Sequence, residues 1–247
     1  MRLSWSAADG ILEEGAVIGP TDAEIEAARV LLAAADPMLA KADAAVAPTS
    51  WRIREPGFQG LVHQIVAQQV SVAAASAILG RFTAGLGGVL TPEGVLAADD
   101  ATLRGFGLSG QKVRYVRAIA EAAGLFERIG GLSDEEAVAQ LPAIKGVGRW
   151  TAETYLLFSE GRLDFFPAGD VALQEGYRLL QGGDTRPTEK DLYVTAEAWH
   201  PYRGVAALLL WGYYGLMRKR ATEATDAPTG DAPAKPSKTR AARKKAG

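Results

Sequence analysis

One carboxylate and one glycine turn carry most of the chemistry this sequence can do. Asp170 closes the run Phe165-Phe166-Pro167-Ala168-Gly169 and stands immediately before Val171-Ala172-Leu173-Gln174-Glu175, where a helix N-cap belongs. A helix N-terminus favours the ionised form of a carboxyl group. A carboxylate fixed there can stabilise positive charge that develops in a transition state, or orient an attacking water. The same residue in the same place also serves as an ordinary cap, and the local sequence leaves both roles open. Asp164, the other acid nearby, precedes Phe165-Phe166 rather than a helix.

Upstream, Gly146 and Gly148 flank Val147, so the chain can turn sharply there without a Cβ clash. A short helix opened by Pro142 is expected to end near Gly146. A second begins at once with Arg149-Trp150-Thr151-Ala152-Glu153-Thr154-Tyr155-Leu156-Leu157-Phe158, a run without Gly or Pro whose apolar residues fit a buried helix. The unpaired N–H groups of such a helix start, together with its dipole, can hold a phosphate oxygen without any basic side chain. That grip is blind to base sequence. An ordinary interhelical turn has the same letters.

The elements that must position these residues read as helices. Thr21 to Glu24 is a capping box, followed by an apolar face through Leu32 that stops at Asp36-Pro37. From Phe58 to Phe82 the chain is apolar and helical except at Gln68, Gln69 and Ser71, which either cap neighbouring groups or mark a break that aims a side chain outward. Thr91-Pro92-Glu93 opens a short helix that closes before Gly105, and Ser133-Asp134-Glu135-Glu136 opens one that runs to about Gln140. Between them Lys112, Arg114 and Arg117 offer phosphate contacts or simply a solvated face. Thr188 caps a helix to Trp199, and an apolar helix spans Val205 to Leu216.

Composition bounds the answer. A chain of 247 residues, 48% hydrophobic and 23% charged, is an ordinary globular protein with one large or two modest cores. The absence of cysteine excludes disulfides and thiolate metal or iron–sulfur sites, and two histidines, His63 and His200, leave little for zinc, so no side-chain metal site is expected. No apolar run is long enough to span a membrane, and the N-terminus has no signal-like features, which points to an intracellular protein without a membrane partner. The net charge of −2 is unevenly spread: residues 218–247 hold nine Lys/Arg against three Asp/Glu, leaving an acidic body. A protein that grips phosphates through backbone amides tolerates that balance.

Taken together, L-P-x-I-x-G-V-G-x-W-T-A followed by F-P-A-G-D resembles the signature of the helix-hairpin-helix DNA glycosylases, most closely the branch that removes alkylated bases, the 3-methyladenine DNA glycosylase II type. The phrases I-V-A-Q-Q-V-S at Ile65–Ser71, L-R-x-x-G-L-S-x-x-K ending at Lys112, and W-H-P-Y-R-G-V-A-A-L-L-L-W from Trp199 are similar to the same family. The resemblance covers roughly residues 36–216. It implies an all-α fold of two helical subdomains flanking a cleft, with residues 1–35 packing on the core and residues 217–247 a basic, disordered tail.

For function, the resemblance implies base excision repair: hydrolysis of the N-glycosidic bond of alkylated purines in duplex DNA, with the damaged nucleotide flipped out. Asp170 would be the catalytic carboxylate and Gln69 the wedge that fills the vacated space, where some relatives carry Leu. Gly146, Val147, Gly148 and Thr151 would contact DNA. Trp150 occupies the place where strand-cleaving relatives carry a Schiff-base lysine, which implies a monofunctional enzyme that leaves an abasic site. Because alkylated purines are cationic, Trp150, Trp211 and Tyr155, with Tyr213 behind them, are candidates for cation–π contacts in the base pocket. Thr154 is small where close relatives can be aromatic. The family implies no cofactor, allows a monovalent cation on hairpin carbonyls, and fits a monomer acting on the nucleoid in the cytoplasm. A glycosylase for deaminated or oxidised bases, or a helix-hairpin-helix module that only binds, are the alternatives.

Overall fold

In a computed structural model of the chain the described residues are 3–6, 11–14, 19–46 and 51–226. Two short strands, β1 (Leu3–Ser6) and β2 (Ile11–Glu14), pair antiparallel with Leu3 opposite Glu14. Everything described after them is helical or loop, so the fold is all-α. The helices are α1 (Asp22–Ala35), α2 (Pro37–Ala45), α3 (Gly57–Ala67), α4 (Val72–Gly85), α5 (Pro92–Ala97), α6 (Asp100–Gly105), α7 (Gly110–Glu121), α8 (Asp134–Gln140), α9 (Arg149–Phe158), α10 (Val171–Gln181), α11 (Glu189–Ala196) and α12 (Arg203–Asp226).

Local chemistry explains most of the boundaries. Thr21 and Ser133 form full capping boxes with Glu24 and Glu136, and Thr91 caps α5 just ahead of Pro92. Asp36 ends α1 and caps α2 through Met38 N and Leu39 N, which is what Asp before Pro does best. Three expectations need correction. The helix opened by Thr91 is two helices, because Asp99 starts a new cap on Thr102 N after Ala98 turns extended. The helix expected from Pro142 is only a 3-10 turn, Leu141–Ala143, since five residues before a tight turn give no room for α-helical pairing. And α12 continues ten residues past Leu216, where disorder is expected: Met217 to Asp226 holds no Gly or Pro and several strong helix formers, so a solvated helix persists without an apolar face. The remainder of the basic tail lies outside the described residues.

Packing divides the helices into two groups. α1, α2, α10 and α12 lie against one another, while α3 packs on α4, α7 and α9, with α5 and α6 on α7 and α8 on α9. A continuous apolar core runs from Ile25 through Leu61, Ile119 and Leu156 to Tyr213. The two groups meet where α9 of the second faces the start of α10 of the first, and this junction holds Asp170.

Candidate active site

Asp170 is built into its position by neutral donors. Oδ1 caps α10, accepting from Ala172 N at 2.8 Å and Leu173 N at 3.1 Å, and also from the Trp211 indole N–H at 3.2 Å. Oδ2 accepts from the Trp150 indole N–H at 2.9 Å. The carboxylate is therefore held by four N–H groups and no cation, with its negative charge uncompensated by any ion pair among the described residues. Trp150 is 38% exposed, a large aromatic left open beside the carboxylate, whereas Trp211 is half-buried. Behind Trp211 stands Phe158 at 5.7 Å between ring centroids, and behind Phe158 stands Trp51 at 5.8 Å. Neither Phe158 nor Trp51 is singled out by the sequence.

The hairpin sits one turn before Trp150. Gly146 has φ +94°, a conformation that glycine adopts freely, and a Cβ there would come within 2.3 Å of the Tyr115 ring. Two independent constraints thus demand glycine at this one position. Val147 is buried and its N–H closes the turn on Ile144 O at 3.0 Å, so it anchors the hairpin and is not free to meet DNA. Gly148 is the N-cap of α9 and no side chain caps that helix, leaving its first amides open.

Three other expected site residues are elsewhere. Tyr155 is fully buried; its hydroxyl accepts from Gly57 N at 2.9 Å and donates to Glu160 Oε1 at 2.6 Å, and burial pushes its pKa well up. It is a core anchor between α3 and α9 and cannot line a base pocket. Tyr213 is likewise buried. Thr151 is 4% exposed: its hydroxyl accepts from Gln68 Nε2 at 3.2 Å and its carbonyl from Gln64 Nε2 at 3.1 Å. Its side chain is spent on holding α3 and cannot reach a phosphate. Thr154 accepts from the same Gln64 amide and donates to Trp150 O at 2.8 Å. Gln64 escapes the sequence reading, although Gln64 and Gln68 at i,i+4 opposite Thr151 and Thr154 at i,i+3 form matching polar stripes.

Between α3 and α4 the helix breaks as the sequence allows. Gln68 turns inward to Thr151, Ser71 caps α4 on Ala74 N, and Gln69 stands exposed at φ +56°. Of the three basic residues on α7, Lys112 donates to the carbonyls of Val66 and Gln68 and Arg117 to Asp100 and three carbonyls, so both are occupied inside the protein; Arg114 alone is exposed. On the other flank of α9, Glu153 is buried against Tyr193 and Arg149. Burial raises its pKa, and hydrogen bonds from Tyr193 and Arg149 pull it back down.

The structure thus has a capping carboxylate beside an open indole, an uncapped helix behind a Gly-Val-Gly turn, and a broken helix with Gln69 exposed at the break. The family model for the HhH-GPD superfamily base excision DNA repair protein matches residues 62–201, which include all three. The chain belongs to this superfamily. Among HhH-GPD relatives, DNA-3-methyladenine glycosylase 1 of Schizosaccharomyces pombe is 37% identical over 165 residues, covering 64% of this chain and 72% of the relative. The fold is similar to the crystal structure of a DNA-3-methyladenine glycosidase from Bacillus halodurans, with a TM-score of 0.71 and 36% identity over 77% of this chain and 91% of that one. It is also similar to the S. pombe 3-methyladenine DNA glycosylase in complex with abasic DNA, with a TM-score of 0.65 and 32% identity over 75% and 95% of the two chains.

Proposed function

We propose that this HhH-GPD protein excises alkylated purines, of the 3-methyladenine and 7-methylguanine type, from duplex DNA and leaves an abasic site. The observation that carries this reading is the environment of Asp170. Departure of a purine leaves oxocarbenium-like positive charge on the deoxyribose, and a carboxylate placed beside it lowers the barrier in proportion to its uncompensated charge. Among the described residues no cation pairs with Asp170, whose donors are amides and indoles. Its Oδ1 is taken by three donors, so Oδ2 is the oxygen available to the sugar or to an incoming water. The similarity to named 3-methyladenine glycosylases supports the choice of substrate class.

Position and the family resemblance support the remaining roles. The open amides at the start of α9 take backbone phosphate without base preference. Trp150, exposed beside Oδ2, offers its face to a flipped cationic purine while its N–H orients the carboxylate. Trp211 and Phe158 form the wall behind. Gln69 enters the duplex where the nucleotide leaves. With tryptophan at position 150 there is no amine for a Schiff base, so water is the nucleophile and the strand stays intact. A cation on the hairpin would be held by main-chain oxygens alone, since Ile144-Lys145-Gly146-Val147-Gly148 supplies no carboxylate or imidazole.

The test is release of free base from methylated duplex DNA, with strand breaks scored before and after alkali. Release of methylpurines with breaks only after alkali is expected. Breaks without alkali would contradict the monofunctional chemistry, and release of deaminated or oxidised bases instead would contradict the substrate class.

A further inference from the structure

We propose that Lys112 is a positioning residue for nucleotide flipping, holding the loop of residues 68–70 in the conformation that presents Gln69 outward. The inference rests on the reading of Gln69 as the wedge. It begins with an inventory of carbonyls. A helix that stops leaves its last carbonyls without amide partners. At the end of α3 the carbonyl of Ile65 accepts from Gln68 N, while those of Val66 and Gln68 accept from the Lys112 ammonium at 2.6 and 2.8 Å. Among the described residues the partners of this ammonium are carbonyls and not carboxylates, so its charge is spent on the loop.

The loop needs such a restraint. Gln69 lies at φ +56°, which a side-chain-bearing residue adopts only when its surroundings over-determine it. The side chain of Gln68 is tied to Thr151, and Ser71 is committed to capping α4. Lys112 supplies the main-chain restraint between them. One turn further along α7, Tyr115 lies under Gly146 and is bonded to Gln111. A single helix thus supports both the hairpin and the wedge loop, across a cavity of about 290 Å³ lined by Gln68, Gln69, Gln111, Lys112 and Tyr115. Partial burial lowers the pKa of Lys112.

Single-turnover excision separates positioning from general stability when two substrates are compared: a methylpurine opposite its normal partner, and the same lesion opposite an abasic analogue, where flipping costs less. Lys112→Met is expected to slow excision about tenfold or more on the paired substrate and to recover most of that loss on the unpaired one. Affinity for undamaged duplex should stay at the wild-type value, and Lys112→Arg, which keeps charged donors for the two carbonyls, should restore part of the lost excision. Equal losses on both substrates, or no loss, would overturn the proposal. Gln69→Ala separates the two ideas. If it excises the paired lesion as fast as wild type, the wedge reading fails; if it is slow while Lys112→Met is not, only the role of Lys112 fails.

Discussion

Asp36 and Asp170 are built alike, and the contrast between them shows what a functional carboxylate adds to a cap. Each precedes a helix, accepts from two backbone amides through Oδ1 and takes an indole N–H on Oδ2, from Trp199 at 2.8 Å and from Trp150 at 2.9 Å. Trp199 is 1% exposed and packs on Phe166 and Tyr177, so Asp36 faces protein on its indole side. Trp150 is open, next to an uncapped helix start, so Asp170 faces a place a ligand can occupy. Asp164 completes the comparison from the other direction. Arg203 binds both its oxygens, at 3.0 and 2.9 Å, and His200 Nδ1 lies 2.6 Å from Oδ2. Its charge is neutralised on the spot. The local motif of capping aspartate plus tryptophan is thus common to a structural and a candidate catalytic site; the open indole sets Asp170 apart from Asp36, and the lack of an ion pair among the described residues sets it apart from Asp164.

The comparison breaks most visibly at its ends. Asp170→Asn should retain the cap, leave the melting temperature near that of wild type and lower single-turnover excision by about 10²-fold or more, the scale for losing a preorganised electrostatic group. Asp36→Asn, the matched control, should leave excision unchanged within about twofold; a comparable loss there would mean that capping charge alone, wherever it sits, governs the reaction. Asp164→Asn should cost about 1–3 kcal/mol in denaturant unfolding, because the guanidinium of Arg203 loses the charge on one of its two carboxylate partners and keeps only Glu197, without changing excision by the folded fraction. Trp150→Phe keeps the ring and deletes the donor to Oδ2; a charge-assisted hydrogen bond of this kind corresponds to about a tenfold loss in rate. The smallest effect is expected for Tyr155→Phe, which leaves Gly57 N without its acceptor, costs about 1 kcal/mol and leaves excision intact, as a core residue should.

How much of this was legible in the sequence depends on the range of the interactions involved. Caps and turns are local, so Thr21, Ser133, Asp170 and the Gly146 turn are readable from their immediate neighbours, and the break at Gln68-Gln69 announces itself as polar residues in an apolar run. Partners chosen by packing are not readable in that way. Lys112 and Arg117 look like a solvated basic face, yet each lies one helical turn from a buried valine, Val116 and Val113, and so both flank the packed stripe of α7 and reach inward. Thr151 is expected in the site from the family resemblance and Tyr155 as an aromatic suited to a cationic base; α9 is buried on all sides from Thr151 onward, so only Arg149 and Trp150 at its first turn remain open to a ligand. The extension of α12 eluded the pattern because a solvated helix carries no apolar period to detect.

The central claim is that Asp170 acts through uncompensated charge directed at a sugar cation. It is tested most directly by the affinity for two duplexes, one carrying a cationic pyrrolidine in place of the lesion sugar and one carrying the neutral tetrahydrofuran analogue. Wild type should bind the cationic duplex more tightly by about tenfold or more, as expected of a transition-state mimic. Asp170→Asn should lose that preference while binding the neutral duplex as before, and Asp36→Asn should keep it. A preference for the cation that survives in Asp170→Asn, or its absence from wild type, would contradict the account.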